Sequence, residues 1–103
     1  MDISQKKVGF IGGGNMAEAI FSGLIKSDTV PAGSIAVTDV SAERLDFLRE
    51  KYKFETAAND AESNSGAARI AADCDIVFLA VKPNAARPIL ESIYSFLSSD
   101  KTG

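Results

Sequence analysis

The stretch Val8–Gly9–Phe10–Ile11–Gly12–Gly13–Gly14–Asn15–Met16–Ala17 limits the fold more than any other. A short apolar run meets three consecutive glycines, and an amphipathic pattern starts directly behind them. A buried strand, a tight turn and the first turn of a helix satisfy that order. Gly12, Gly14 and Ala17 fall on G-x-G-x-x-[GA], and each small residue has a physical reason. Gly12 allows a sharp exit from the strand. Gly14 has no Cβ, so a pyrophosphate can approach the backbone. Ala17 lets the helix lie close to the strand. The helix N-terminus offers unpaired N–H groups and a partial positive charge to an anion. Glycine turns after strands also occur for structural reasons alone, so the rest of the chain has to decide.

Behind the glycines, Met16, Ile20 and Leu24 recur at helical spacing, with Ala17, Phe21 and Ile25 beside them. That is a wide apolar stripe, in which Met16 reads as packing. Val30–Pro31–Ala32–Gly33 is a loop. Ser34–Asp39 reads as a second strand, and Ser41 as the N-cap of a helix buried through Leu45, Leu48 and Tyr52. Phe54–Ala57 gives a weak third strand. Asn59–Gly66 is polar and loop-like, and Ala67–Ala72 is a short helix. Asp75–Val81 is a strong strand, stopped by Lys82–Pro83. Asn84 is placed to cap a last helix with an apolar row at Ile89, Ile93 and Leu97, closing at Ser98–Ser99–Asp100. The order βαβα(β)αβα predicts an α/β fold, a Rossmann-type doubly wound parallel sheet in a three-layer αβα arrangement. A complete dinucleotide-binding sheet has about six strands, so this sheet is expected to be incomplete. Residues 1–103 then form one NAD(P)-binding domain, the N-terminal part of a longer enzyme.

Composition removes several alternatives. The net charge of −3 argues against a nucleic-acid partner. The apolar runs are too short to span a bilayer, and Met1–Lys7 lacks a signal core, which makes the cytoplasm the expected location. One cysteine, Cys74, and no histidine leave no disulfide, no zinc spacing and no Ser-His-Asp arrangement.

Asp39 closes the second strand, one β-α unit after the glycine turn. A dinucleotide fold places there the acid that accepts from the adenosine ribose hydroxyls. The alternative is an ordinary strand-end aspartate. A carboxylate at that point disfavours the 2′-phosphate of NADP. Arg44 is the nearest cation, and reads as a solvated helix residue ahead of a phosphate ligand. Thr38 and Ser41 are possible donors to either cofactor. Lys82 follows the fourth strand at its carboxyl end, the edge where such sheets bind ligands, as a ligand neighbour or as a surface lysine. Ala80, Val81, Lys82 and Pro83 would form a backbone wall beside the cofactor. Asn59 lies on the same edge, as a ligand contact or a turn former. Asp73 and Asp75 lie at the opposite edge, and no acid–base pair for a substrate is evident.

Val-Gly-Phe-Ile-Gly-Gly-Gly-Asn-Met-Ala-Glu-Ala-Ile at 8–20, with Gly23, resembles the opening of the pyrroline-5-carboxylate reductases. Asp-Ile-Val-Phe-Leu-Ala-Val-Lys-Pro at 75–83 does so too. The resemblance covers nearly the whole chain and only the cofactor domain of that family. It implies NAD(P)H-dependent reduction of 1-pyrroline-5-carboxylate to L-proline, the last step of proline biosynthesis. It implies cofactor contacts from Gly12, Gly13, Gly14, Asn15 and Met16, from Asn59, and from Ala80 to Pro83. The imine substrate pocket and the homo-oligomer interface would belong to a helical C-terminal domain absent from this chain, leaving no catalytic residue and no metal ligand here. Asp39–Val40 departs from the Asn-Arg or Ser-Ser type common there, so the cofactor is NADP or NAD. Ala61–Ala72 is longer than usual. The alternatives are another NADP or F420-type oxidoreductase sharing the domain, and a non-catalytic dinucleotide-binding module.

Overall fold

Val8–Ile11 (β1) is buried at all four positions, which is why its sequence shows no alternation. The structure, a computed structural model, describes residues 5–60 and 64–100, with side chains as far as Ser95. Residues 1–4, 61–63 and 101–103 lie outside the described residues, as do the side chains of residues 96–100. The expected packing of Leu97 and the start of the long 61–72 segment fall among these. The remaining elements are Asn15–Lys26 (α1), Ile35–Asp39 (β2), Ala42–Tyr52 (α2), Glu55–Ala58 (β3), Ser65–Asp73 (α3), Ile76–Leu79 (β4) and Pro83–Asp100 (α4).

The four described strands are all parallel, in the order β3-β2-β1-β4. Successive side chains of a strand point to opposite faces, so two cores form. Val8, Phe10, Ile35 and Val37 meet Ala17, Phe21, Leu45, Leu48 and Phe54 on the α1–α2 face. Ile11 and Ala36 meet Ala67, Ile70 and Ile89 on the α3–α4 face. Aromatic rings interlock in the first core. Phe21 packs edge-on against Phe10 at 5.3 Å, Tyr52 at 5.1 Å and Phe54 at 5.0 Å between ring centroids. Edge-to-face pairs of this kind add to the area they bury. On the second face, Gly9 leaves room for Ile70 and Cys74. A Cβ there would lie 2.5 Å from Ile70 Cγ2 and 2.7 Å from the Cys74 sulfur. Cys74 is thus a packing residue, and burial raises its thiol pKa.

Three expectations change. Met16 does not pack: it is 73% exposed, because the helix turns Ala17 and Phe21 inward instead. The fourth strand spans only Ile76–Leu79 and lies at the edge of the described sheet, with Val77 and Leu79 partly exposed. Asn84 does not cap α4. The helix starts with Pro83, and the Lys82 carbonyl accepts from the N–H groups of Ala85 and Ala86. Proline is well suited to a first helical position because its missing N–H would have no helical partner there. Ser41 does cap α2, its hydroxyl accepting from the Arg44 N–H at 3.2 Å.

Candidate cofactor site

The carboxyl ends of β1, β2 and β4 meet around the three glycines. Gly12 has φ +106°, a region open to glycine and strained for other residues. Its N–H donates to the Thr38 carbonyl at 2.9 Å, and an added Cβ would lie 2.3 Å from the Ala80 carbonyl oxygen. Gly12 therefore serves the contact between β1 and the end of β4. Gly13 is buried, and its Cβ would meet Leu48 at 3.0 Å and Val37 at 3.2 Å. Gly14 differs. Its backbone, at φ −76° and ψ −167°, suits any residue, and an added Cβ would meet nothing within 4 Å among the described residues. Neither strain nor packing among the described residues requires glycine there.

Gly14 is also the N-cap of α1, with no side chain capping the helix. The first intrahelical bond runs from the Glu18 N–H to the Gly14 carbonyl. The N–H groups of Asn15, Met16 and Ala17 thus have no partner within the helix. An open, exposed glycine beside these donors is a cradle that a phosphate group fits.

A cleft of about 320 Å³ lies beside the turn. It brings together four expected residues, Gly12, Asp39, Asn59 and Val81. Its walls are mainly apolar, including Ile11, Val40, Ala85, Pro88 and Ile89. Val40, Ala85 and Pro88 were not expected there, and proximity to a strand end or helix start was their only signal. Ala80 lies under the glycine turn, while Lys82 and Pro83 are exposed at the start of α4. A second cavity, about 410 Å³ and more polar, runs between β3 and α3 past Lys7, Glu55 and Arg69. It lies away from the turn, and we assign the site to the smaller cleft.

Several polar side chains at this edge are engaged within the protein. The Asn59 Oδ1 accepts from the Ala67 N–H at 2.9 Å, and its Nδ2 donates to the Asn64 Oδ1 at 3.0 Å. Asn59 therefore caps α3. Thr38 is fully buried in the cleft wall, and its hydroxyl donates to the Ala57 carbonyl at 2.6 Å. Asp39 accepts from the Gly13 N–H at 2.7 Å and from the Ser41 N–H at 2.9 Å. Arg44 is not a solvated helix residue. Its Nε donates to the Gly13 carbonyl and its guanidinium pairs with Glu18 at 2.7 Å. Glu18 also accepts from Lys51 at 2.8 Å and from the Tyr52 hydroxyl at 2.7 Å. Lys51 first, then Tyr52 and Arg44, hold its carboxyl well below the usual range, at about 2.

A parallel sheet whose first strand runs through a glycine turn into a helix, with a cleft at its carboxyl edge, defines a Rossmann-type α/β domain. Residues 7–102 match the family described as NADP oxidoreductase coenzyme F420-dependent, and the chain belongs to that family. Pyrroline-5-carboxylate reductase of Escherichia coli is 42% identical over 96 residues, covering 93% of this chain and 33% of the relative. That of Pseudomonas aeruginosa is 35% identical, covering 96% and 33%. The chain therefore spans about a third of the length of these curated relatives. The structure of a pyrroline-5-carboxylate reductase from Coxiella burnetii superposes with a TM-score of 0.76 at 35% identity, covering 90% of this chain and 32% of that one. The Plasmodium falciparum pyrroline carboxylate reductase with NADP bound has a TM-score of 0.70 at 24% identity, covering 93% and 31%, and supports the fold.

Proposed function

We propose that residues 1–103 are the NAD(P)-binding domain of an enzyme that reduces 1-pyrroline-5-carboxylate to L-proline. The observation that carries the reading is Gly14: it is open, exposed and unstrained, beside the free N–H groups of α1. The pyrophosphate would lie against Gly14, Asn15 and Met16, supported from below by Gly12 and Gly13. The adenosine half would enter the apolar cleft past Val81 and Asn59. Ala80, Lys82 and Pro83 would border the cofactor where β4 ends. When bound, the nicotinamide supplies the hydride, and this chain binds and orients it. The names of the relatives support the substrate class. The pocket for the imine and the contacts of a homo-oligomer would then lie in a further domain.

Among the described residues, no helix is long and apolar enough to cross a membrane. The cytoplasm, with its pool of reduced nicotinamide cofactors, is the compartment that goes with this reading. The test is oxidation of NADPH or NADH by the full-length protein, monitored as loss of dihydronicotinamide absorbance. Oxidation that depends on added pyrroline-5-carboxylate and yields proline is the expected result. Tight dinucleotide binding with no such turnover would contradict the enzymatic reading.

A further inference from the structure

Gly13 is held by a side chain at each end of its backbone. Its N–H donates to the Asp39 Oδ2 and its carbonyl accepts from the Arg44 Nε. The other Asp39 oxygen accepts from the Ser41 N–H, in its own loop. Arg44 is steadied in turn by Glu18, which Lys51 and Tyr52 hold from α2. Together with the Gly12 N–H on Thr38, these bonds fix the backbone that leads into Gly14. Asp39 thus stands at the position where an acid reads the ribose, yet both its oxygens are turned to backbone donors. Arg44, the nearest cation, is directed to Gly13 and Glu18.

We propose that Asp39 and Arg44 are positioning residues for the glycine turn, and that neither discriminates the 2′ position of the adenosine ribose. The proposal rests on the dinucleotide reading above. The pair presents the free N–H groups of α1 to the phosphates, which NADH and NADPH share. Removing either brace therefore weakens both cofactors alike. An aspartate that read the ribose would behave differently, because its loss would relieve repulsion of a 2′-phosphate and favour NADPH. An arginine bound to the 2′-phosphate would show the opposite shift on removal.

The test is the affinity of the protein for NADH and for NADPH by calorimetry, in wild type, Asp39→Asn, Arg44→Gln and Arg44→Lys. The amide proton of Gly13 is followed by NMR. Each variant is expected to bind both cofactors about tenfold more weakly, with their ratio within about twofold of wild type. Arg44→Lys keeps the charge but not the planar fork, and is expected not to rescue. In Asp39→Asn the Gly13 amide proton moves upfield, as a carboxylate acceptor is replaced by a neutral one. Unchanged affinities in folded variants overturn the proposal, as does a tenfold shift in the ratio in either direction. If Asp39→Asn fails to fold, the two Arg44 variants decide. Wild-type protein that binds neither dinucleotide overturns the cofactor reading, and this proposal with it.

Discussion

The three adjacent glycines do unequal work. Gly12 combines a positive φ with a backbone contact from the end of β4, so a side chain meets both strain and collision. Gly12→Ala is expected to cost about 2–4 kcal/mol of stability, measured by chemical denaturation. Gly14→Val introduces a side chain into open space, and should change stability by less than about 1 kcal/mol. The motif and the separate reasons for Gly12 and Gly14 were legible in the sequence, but the collision that enforces Gly12 was not. It depends on Ala80, whose carbonyl reaches Gly12 only after the chain has built β4. Asn59 shows the same limit. Its place on the carboxyl edge follows from strand order, whereas its cap on Ala67 follows from a loop geometry that single residues do not encode.

Between elements, Glu18 ties the first turn of α1 to α2 through Arg44, Lys51 and Tyr52. Its carboxyl titrates at about 2 in the folded chain, against an ordinary value of 4.5. The folded value is the lower one, so the stabilisation is complete above about pH 4.5 and is lost as pH falls toward about 2. Denaturant melts should show about 1–3 kcal/mol of acid-dependent stability in this window, discounted for solvent screening of Lys51, and Glu18→Gln should remove that dependence. In the sequence Glu18 stands only within the 8–20 stretch, and no local pattern points to its partners on α2. At the C-terminus of α2, just past Lys51 and Tyr52, Lys53 takes a left-handed conformation at φ +64°. Lys53→Gly should raise stability by about 0.5–1 kcal/mol in thermal or denaturant unfolding, because glycine adopts that conformation without a Cβ penalty.

At the scale of the whole chain, strands alternating with helices led to a parallel sheet, and β1, β2, β3 and β4 all occur. The weak Phe54–Ala57 signal became Glu55–Ala58, displaced by one residue, since Phe54 is buried against Phe21 just before the strand begins. The strong Asp75–Val81 signal became a shorter edge strand, because its hydrophobicity does not reveal whether a neighbour lies on both sides. The cleft walls at Val40, Ala85 and Pro88 come from separate parts of the chain, and no local pattern joins them. Function is divided in the same way. On the reading proposed above, the chain carries a cradle for phosphates; it spans about a third of the length of its curated relatives, and residues 1–103 alone are expected to bind a dinucleotide without reducing pyrroline-5-carboxylate. The most direct test of that cradle is a calorimetric titration of wild type and Gly14→Val with NADPH and NADH. The account predicts saturable binding of at least one cofactor by wild type, weakened at least about tenfold in a Gly14→Val protein that melts as wild type does. Equal affinity in the two folded proteins would contradict it.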